Sequence, residues 1–182
     1  SKQMKILKFG GKSLANDGIE KVIDIIITSH KEPLSVVVSA RGNTTDELEA
    51  LLEKASKGED YTADFQQLKD EQQYNDSVSF EPEFQLLEKL LEGVSLLKDY
   101  SPKTKDLVLA QGELMSAKLV AALLQHKGLE STFVDSREIF KTDAVVGNAQ
   151  IINSISEKLT RDRFATIPPH HVVVVTGFIA ST

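Results

Sequence analysis

Lys5-Ile6-Leu7-Lys8-Phe9-Gly10-Gly11 opens the stretch that decides the fold. Ile19, Val22, Ile23, Ile26 and Ile27 follow at helical spacing, and Leu34-Ser35-Val36-Val37-Val38 closes it. Met4 to Phe9 reads as a short strand stopped by two glycines. Asn16 or Asp17 suits the N-cap of the next helix. Pro33 separates that helix from a second, fully apolar strand. Strand, helix, strand in this order is a βαβ unit, which implies a parallel pair with a right-handed crossover.

Working outward, Thr44 or Thr45 is placed to cap a helix carrying Leu48, Leu51 and Leu52, which ends at Lys57-Gly58. Residues 61–79 are polar and read as a surface helix and loop with little core, the most mobile part expected. Pro82 fits a helical first turn, and Phe84, Leu87, Leu90, Leu91, Val94 and Leu97 then mark an amphipathic helix. A long helix is predicted from Lys103 to His126, with Gly112 a place where it could break or bend and Gly128 its stop. Thr132 to Val134 reads as a strand followed by Asp135. Phe140 to Val146 suggests a short strand pair, Gln150 to Leu159 a helix, and Val172 to Thr176 a buried strand after Pro168-Pro169. The order predicts an α/β protein: an open, mainly parallel sheet with helices on both faces.

The 182 residues suffice for one domain with a core, and 41% hydrophobic and 26% charged residues are ordinary for a soluble protein. A net charge of −6 argues against a broad basic face for nucleic acid. No apolar run comes near the roughly 20 residues a membrane helix needs, and Ser1-Lys2-Gln3-Met4 lacks the apolar core of a signal peptide. Without cysteine there are neither disulfides nor thiolate metal sites, which fits a reducing cytoplasm. Ser1 to Gln3 read as vector residues before a natural Met4. The apolar strand so near Thr182 suggests a truncated chain.

In open α/β sheets ligands collect at the carboxyl ends of the strands. Strand one ends in Lys8-Phe9-Gly10-Gly11-Lys12-Ser13. Two glycines let backbone N–H groups approach a phosphate, and Lys8 can place a cation on phosphoryl oxygens. The Walker spacing is absent, and such a loop by itself is more often a plain turn. Strand two ends in Ser39-Ala40-Arg41-Gly42-Asn43-Thr44-Thr45, where Ser39 and Thr45 can donate to a carboxylate; helix capping is the plainer reading. Glu113, beside Gly112, could accept from a substrate ammonium group, or could be a surface acid. Glu59-Asp60 and Asp70-Glu71 read as solvated. His30 and His126 suit helix ends. His170 and His171, as strand neighbours, should point to opposite faces, a poor arrangement for chelating one metal.

Together these loops are more specific than each one. Lys8-Phe9-Gly10-Gly11-Lys12-Ser13-Leu14, Val38-Ser39-Ala40 with Thr44-Thr45, Gly112-Glu113-Leu114-Met115-Ser116 and Val175-Thr176-Gly177-Phe178 resemble, in order and spacing, segments of aspartate kinases in the amino-acid kinase family. Lys12 departs from that family's usual threonine. The resemblance implies a three-layer α/β/α fold, of which the chain would be the N-terminal, aspartate-binding part. The nucleotide lobe and regulatory domains would lie beyond it. It implies phosphoryl transfer from ATP, with Mg²⁺, to the β-carboxylate of L-aspartate, the first step towards lysine, threonine and methionine. Carried over by position, Lys8 would stabilise the transferring group, and Gly10, Gly11 and Ser13 would lie against the phosphates. Ser39, Thr45, Glu113 and Phe178 would hold aspartate. A homo-oligomeric, cytoplasmic parent is implied, with no nucleic-acid or membrane partner, and the part alone is expected to be inactive. The rivals are a sibling kinase for glutamate, acetylglutamate, carbamate or UMP, and a noncatalytic α/β scaffold.

Overall fold

The computed structural model describes residues 5–30, 33–139 and 170–177. Among the described residues ten elements follow one another: β1 (Lys5–Phe9), α1 (Gly18–Ser29), β2 (Leu34–Val38), α2 (Thr44–Ser56), α3 (Thr62–Gln72), α4 (Glu81–Leu97), α5 (Pro102–His126), β3 (Ser131–Val134), α6 (Ser136–Ile139) and β4 (Val172–Thr176). The strands form a four-stranded sheet in the order β1-β2-β4-β3, and every pairing is parallel. The expected helix, strand pair and Pro168-Pro169 between β3 and β4 lie outside the described residues, as does Phe178.

The register shows how alternation builds the core. Leu7, Val36, Val174 and Phe133 stand in one row across the four strands. Successive side chains on a strand point to opposite faces, so this row shares its face with Phe9, Leu34, Val38 and Val172. That face packs on the stripe Ile19, Val22, Ile23 and Ile26 of α1 and on Met115, Leu119, Val120 and Leu124 of α5. Both crossovers, β1 to β2 and β2 to β3, run the same way across the sheet. Right-handed connections therefore put α1 and α5 on one face, where they touch. All five residues of β2 and of β4 are buried, so both sheet faces are covered at the centre. Ile27 departs from the expected stripe: it is exposed, because four inward positions already fill the face of α1.

A second core sits beside the sheet. Leu48, Leu51 and Leu52 of α2, Phe65 and Leu68 of α3, Leu87 and Leu91 of α4, and Val108 of α5 pack together. The polar stretch after Tyr61 therefore contributes more than expected, since α3 buries Phe65, Leu68 and Gln72. Leu97, at the end of α4, is exposed instead of inward. The Lys118 ammonium bonds both Glu83 carboxylate oxygens, at 2.9 and 3.0 Å, and ties α4 to α5.

Helix α5 belongs to both cores. Ser101 caps it, accepting from the Thr104 backbone N–H at 3.1 Å, and Pro102 occupies its first turn. It runs unbroken through Gly112, so that glycine neither stops nor divides it. By length and composition α5 is apolar enough to cross a membrane, although charged and polar residues interrupt its apolar character. Burial in the two cores accounts for that character: most of its apolar window is covered by protein.

Candidate functional site

The seam between the two cores is where polar groups gather. Val108 of α5 serves the helical core and Met115 the sheet core. Gly112 and Glu113 fall between them. A Cβ on Gly112 would stand 3.1 Å from the Ala40 Cβ, 3.2 Å from Leu48 Cδ1 and 3.2 Å from Thr44 Cγ2. The missing side chain lets α5 lie directly on the loop after β2.

That loop also meets the loop after β1. Ser39 N–H donates to the Phe9 carbonyl at 3.2 Å, and Gly42 N–H to the Gly11 carbonyl at 2.8 Å. A Cβ on Gly11 would be 2.5 Å from the Ala40 carbonyl oxygen, whereas one on Gly10 would meet nothing within 4 Å. The two glycines thus differ: Gly11 seals two backbones together, and Gly10 faces open space. Ser13 and Lys12 are exposed in the same turn. Lys8 is exposed at the end of β1 and makes no ion pair with a described residue.

Of the two expected capping threonines, neither caps. Asn43 holds the N-cap position of α2 without a side-chain bond, as Asp17 does for α1. The Thr44 hydroxyl is buried, donates to the Arg41 carbonyl at 2.6 Å and accepts from the Gln72 amide at 2.8 Å. Thr45 is half-buried, with its hydroxyl unclaimed by any described residue. Thr44→Val should leave a buried amide unpaired and cost about 1–3 kcal/mol. A lower urea midpoint with an unchanged slope would report it.

Glu113 is only 7% exposed, so the surface reading fails. Both its carboxylate oxygens lie 3.7 Å from where a Cβ of Gly177 would be, and Gly177 N–H donates to the Val38 carbonyl at 2.8 Å. The carboxyl therefore sits at the carboxyl ends of β2 and β4. Burial, and secondarily the charge of Asp135, push its pKa up to about 8, while Arg137 opposes them. Asp135 and Arg137 form a forked ion pair, with bonds of 3.1 and 2.7 Å. This pair was not singled out from sequence, although Asp135 follows a strand end, where such groups belong. Thr176 and Ser136 join α6 to β4 by two 2.8 Å hydrogen bonds.

Lys8 and the open backbone at Gly10 belong to β1 and its loop, Ser39 and Thr45, whose hydroxyls bond no described residue, to the loop and helix start after β2, and the buried acid Glu113 to α5. Contacts run from the β1 loop through Ala40 to Gly112, and from Glu113 through Gly177 to Val38. Such a set can hold an anionic group at one end and an ammonium group at the other. A cleft of about 300 Å³ lies next to it, lined by Asn16, Arg41, Glu47, Glu71 and Gln72 among others. None of Lys8, Ser39, Thr45 or Glu113 lines that cleft. Burial and a hydrogen bond with Glu71 raise the Glu47 pKa to about 7, so Glu71 is less simply solvated than expected.

A model of the amino acid kinase family matches residues 3–182. Among curated proteins, the chloroplastic bifunctional aspartokinase/homoserine dehydrogenase 2 of Arabidopsis thaliana is 28% identical over 96% of this chain, which covers 21% of that protein. The lysine-sensitive aspartokinase 3 of Escherichia coli is 27% identical over 98% of the chain, covering 41% of its own length. Among solved structures, E. coli aspartokinase III in complex with aspartate and ADP superposes with a TM-score of 0.75 at 22% identity. That match covers 97% of this chain and 41% of the other, and it shows a shared fold. The chain thus spans well under half the length of these relatives.

Proposed function

The chain belongs to the amino acid kinase family, and from that premise we propose that it is the N-terminal, acceptor-binding part of an aspartate kinase. The observation that carries the reading is Glu113, an acid buried at the carboxyl ends of β2 and β4 and supported by a loop network that begins at the phosphate-type turn after β1. In this reading Glu113 faces the ammonium group of L-aspartate, and Ser39 and Thr45 donate to its carboxylates. Phe178, outside the described residues, would line the substrate wall. The names of the relatives, all aspartokinases or aspartokinase fusions, support aspartate over other acceptors.

The chemistry is positioning with charge stabilisation. The β-carboxylate oxygen forms a bond to the γ-phosphorus of ATP, and the bond to the β–γ bridging oxygen breaks. 4-Phospho-L-aspartate and ADP result. A carboxylate is ionised at neutral pH and needs no general base. Lys8 offsets charge on the transferring group, and the backbone at Gly10, Gly11 and Ser13 lies along the phosphates. Mg²⁺, when bound, neutralises phosphate charge. Residues 8–15 hold no carboxylate, so this loop would meet the phosphates with its lysine and backbone N–H groups. The nucleotide lobe, the homo-oligomeric state and a cytoplasmic location are further parts of the proposal. The relatives include chloroplast proteins of plants and a bacterial enzyme.

The test is an acceptor panel on the whole protein, with ADP release as the readout. Aspartate is expected to turn over well above glutamate, acetylglutamate, carbamate and UMP. Preference for any of those, or no turnover with aspartate, would refute the reading.

A further inference from the structure

We propose that Glu130, His170 and His171 form a binding site for one divalent transition-metal ion, zinc in the first instance, at the amino-terminal edge of the sheet. The expectation that the two histidines diverge fails for a plain reason. Strand alternation applies inside a strand, and β4 begins only at Val172. Both histidines lie in the turn before it, free of the pleat.

The topology brings the third group to them. Glu130 immediately precedes β3, and β3 pairs in parallel with β4, Ser131 opposite Val172. The Val172 N–H donates to the Glu130 carbonyl at 3.0 Å, which clamps the two strand starts together. As a result both imidazole Nε2 atoms point at one carboxylate oxygen: His170 at 2.5 Å and His171 at 2.9 Å from Glu130 Oε2. The three ligand atoms all lie within 4.8 Å of one another. Zinc bonds of about 2.0–2.1 Å in a tetrahedron set neighbouring ligand atoms roughly 3.3 Å apart. The two nitrogen–oxygen distances need only open by less than about 1 Å to admit the ion, leaving a fourth position for water.

The site has a supporting contact of the kind that orients a metal-bound imidazole. His171 Nδ1 lies 2.8 Å from the Thr132 hydroxyl, which leaves Nε2 as its ligating atom. His171 is also the more buried of the two histidines, its side chain 22% exposed against 65% for His170. Two imidazoles and one carboxylate suit zinc, copper or nickel far better than magnesium or calcium. The candidate kinase residues sit at the other end of the same sheet. The proposal is therefore independent of the aspartate kinase reading.

Untagged protein, stripped with chelator, should bind one Zn²⁺ per chain by calorimetry. Glu130→Ala and His171→Ala should each weaken binding by about tenfold or more. With Cu²⁺, the electron paramagnetic resonance spectrum should report two nitrogen donors, reduced to one in His170→Ala. His126→Ala should change nothing, and circular dichroism should show all variants folded. The proposal is overturned if no Zn²⁺ binds at millimolar concentration, or if the His170→Ala/His171→Ala double variant binds it as tightly as the parent.

Discussion

Replacing Glu113 with glutamine is expected to raise the KM for aspartate about a hundredfold while making the folded chain more stable at pH 8. Both effects come from one buried acid. Its pKa of about 8 means that at pH 6.5 the free protein holds Glu113 mostly protonated. An ammonium group favours the anion, so substrate binding must expel that proton. Wild-type KM for aspartate should then fall as pH rises from about 6 to 8, by up to about tenfold per unit. Glu113→Gln should flatten this dependence and lose the charge-assisted contact, a loss of roughly 3 kcal/mol. Calorimetry at pH 6.5 in buffers of different ionisation enthalpy should find close to one proton released per aspartate bound. The stability sign runs the other way. The folded pKa is raised above the ordinary value of 4.5, so the unfolded chain releases its proton first. Stability is lost as pH rises from about 4.5 to about 8, and glutamine, which cannot ionise, avoids that loss. The gain at pH 8 should be on the order of a few kcal/mol, read by urea unfolding. An unchanged KM without proton release would remove Glu113 from the substrate site.

The strands and long helices were legible because their signals are local. The β-branched run Val36-Val37-Val38 and the stripe of α1 follow from period alone, and parallel pairing follows from their order. What the sequence hid was mostly tertiary. Glu113 lies in a helix whose residues from Val108 to Ala117 are buried on nearly every side, so no amphipathic face told an inward acid from an outward one. Gly112 read as a weak point because its value lies in what touches it, Ala40, Thr44 and Leu48, all more than sixty residues away. Likewise α3 carries only two large apolar residues inward, too few to stand out in a polar stretch, yet both reach a core assembled from four helices. The threonines misled for the opposite reason. Local capping rules favoured them, but Gln72, 28 residues on, claims the Thr44 hydroxyl. The histidine pair misled through a boundary: the alternation argument carries the strand back to His170, whereas β4 begins two residues later, at Val172, so a different rule applies.

Gly10→Ala and Gly11→Ala, one residue apart, should fail in different ways. At Gly11 the new methyl would meet the Ala40 carbonyl oxygen at 2.5 Å. That oxygen is backbone, held in a loop that also bonds Gly42 N–H to the Gly11 carbonyl, so neither side can yield cheaply. The loops must part by close to 1 Å, at a cost of about 2–3 kcal/mol of folding stability. Because Lys8 ends the strand that leads into one parted loop and Ser39 sits on the other, a shift of that size should also lower kcat about a hundredfold. At Gly10 a methyl meets nothing, and the backbone is not in the left-handed region. Folding stability should stay within about 0.5 kcal/mol of wild type. If the open backbone at Gly10 is where phosphate approaches, that methyl still obstructs the approach, and the KM for ATP should rise about tenfold with the KM for aspartate little changed. Thermal unfolding of the chain and steady-state kinetics of the whole protein separate the two effects. Equal losses of stability would show that the glycines share one packing role, and a normal KM for ATP in Gly10→Ala would move the phosphates away from this turn.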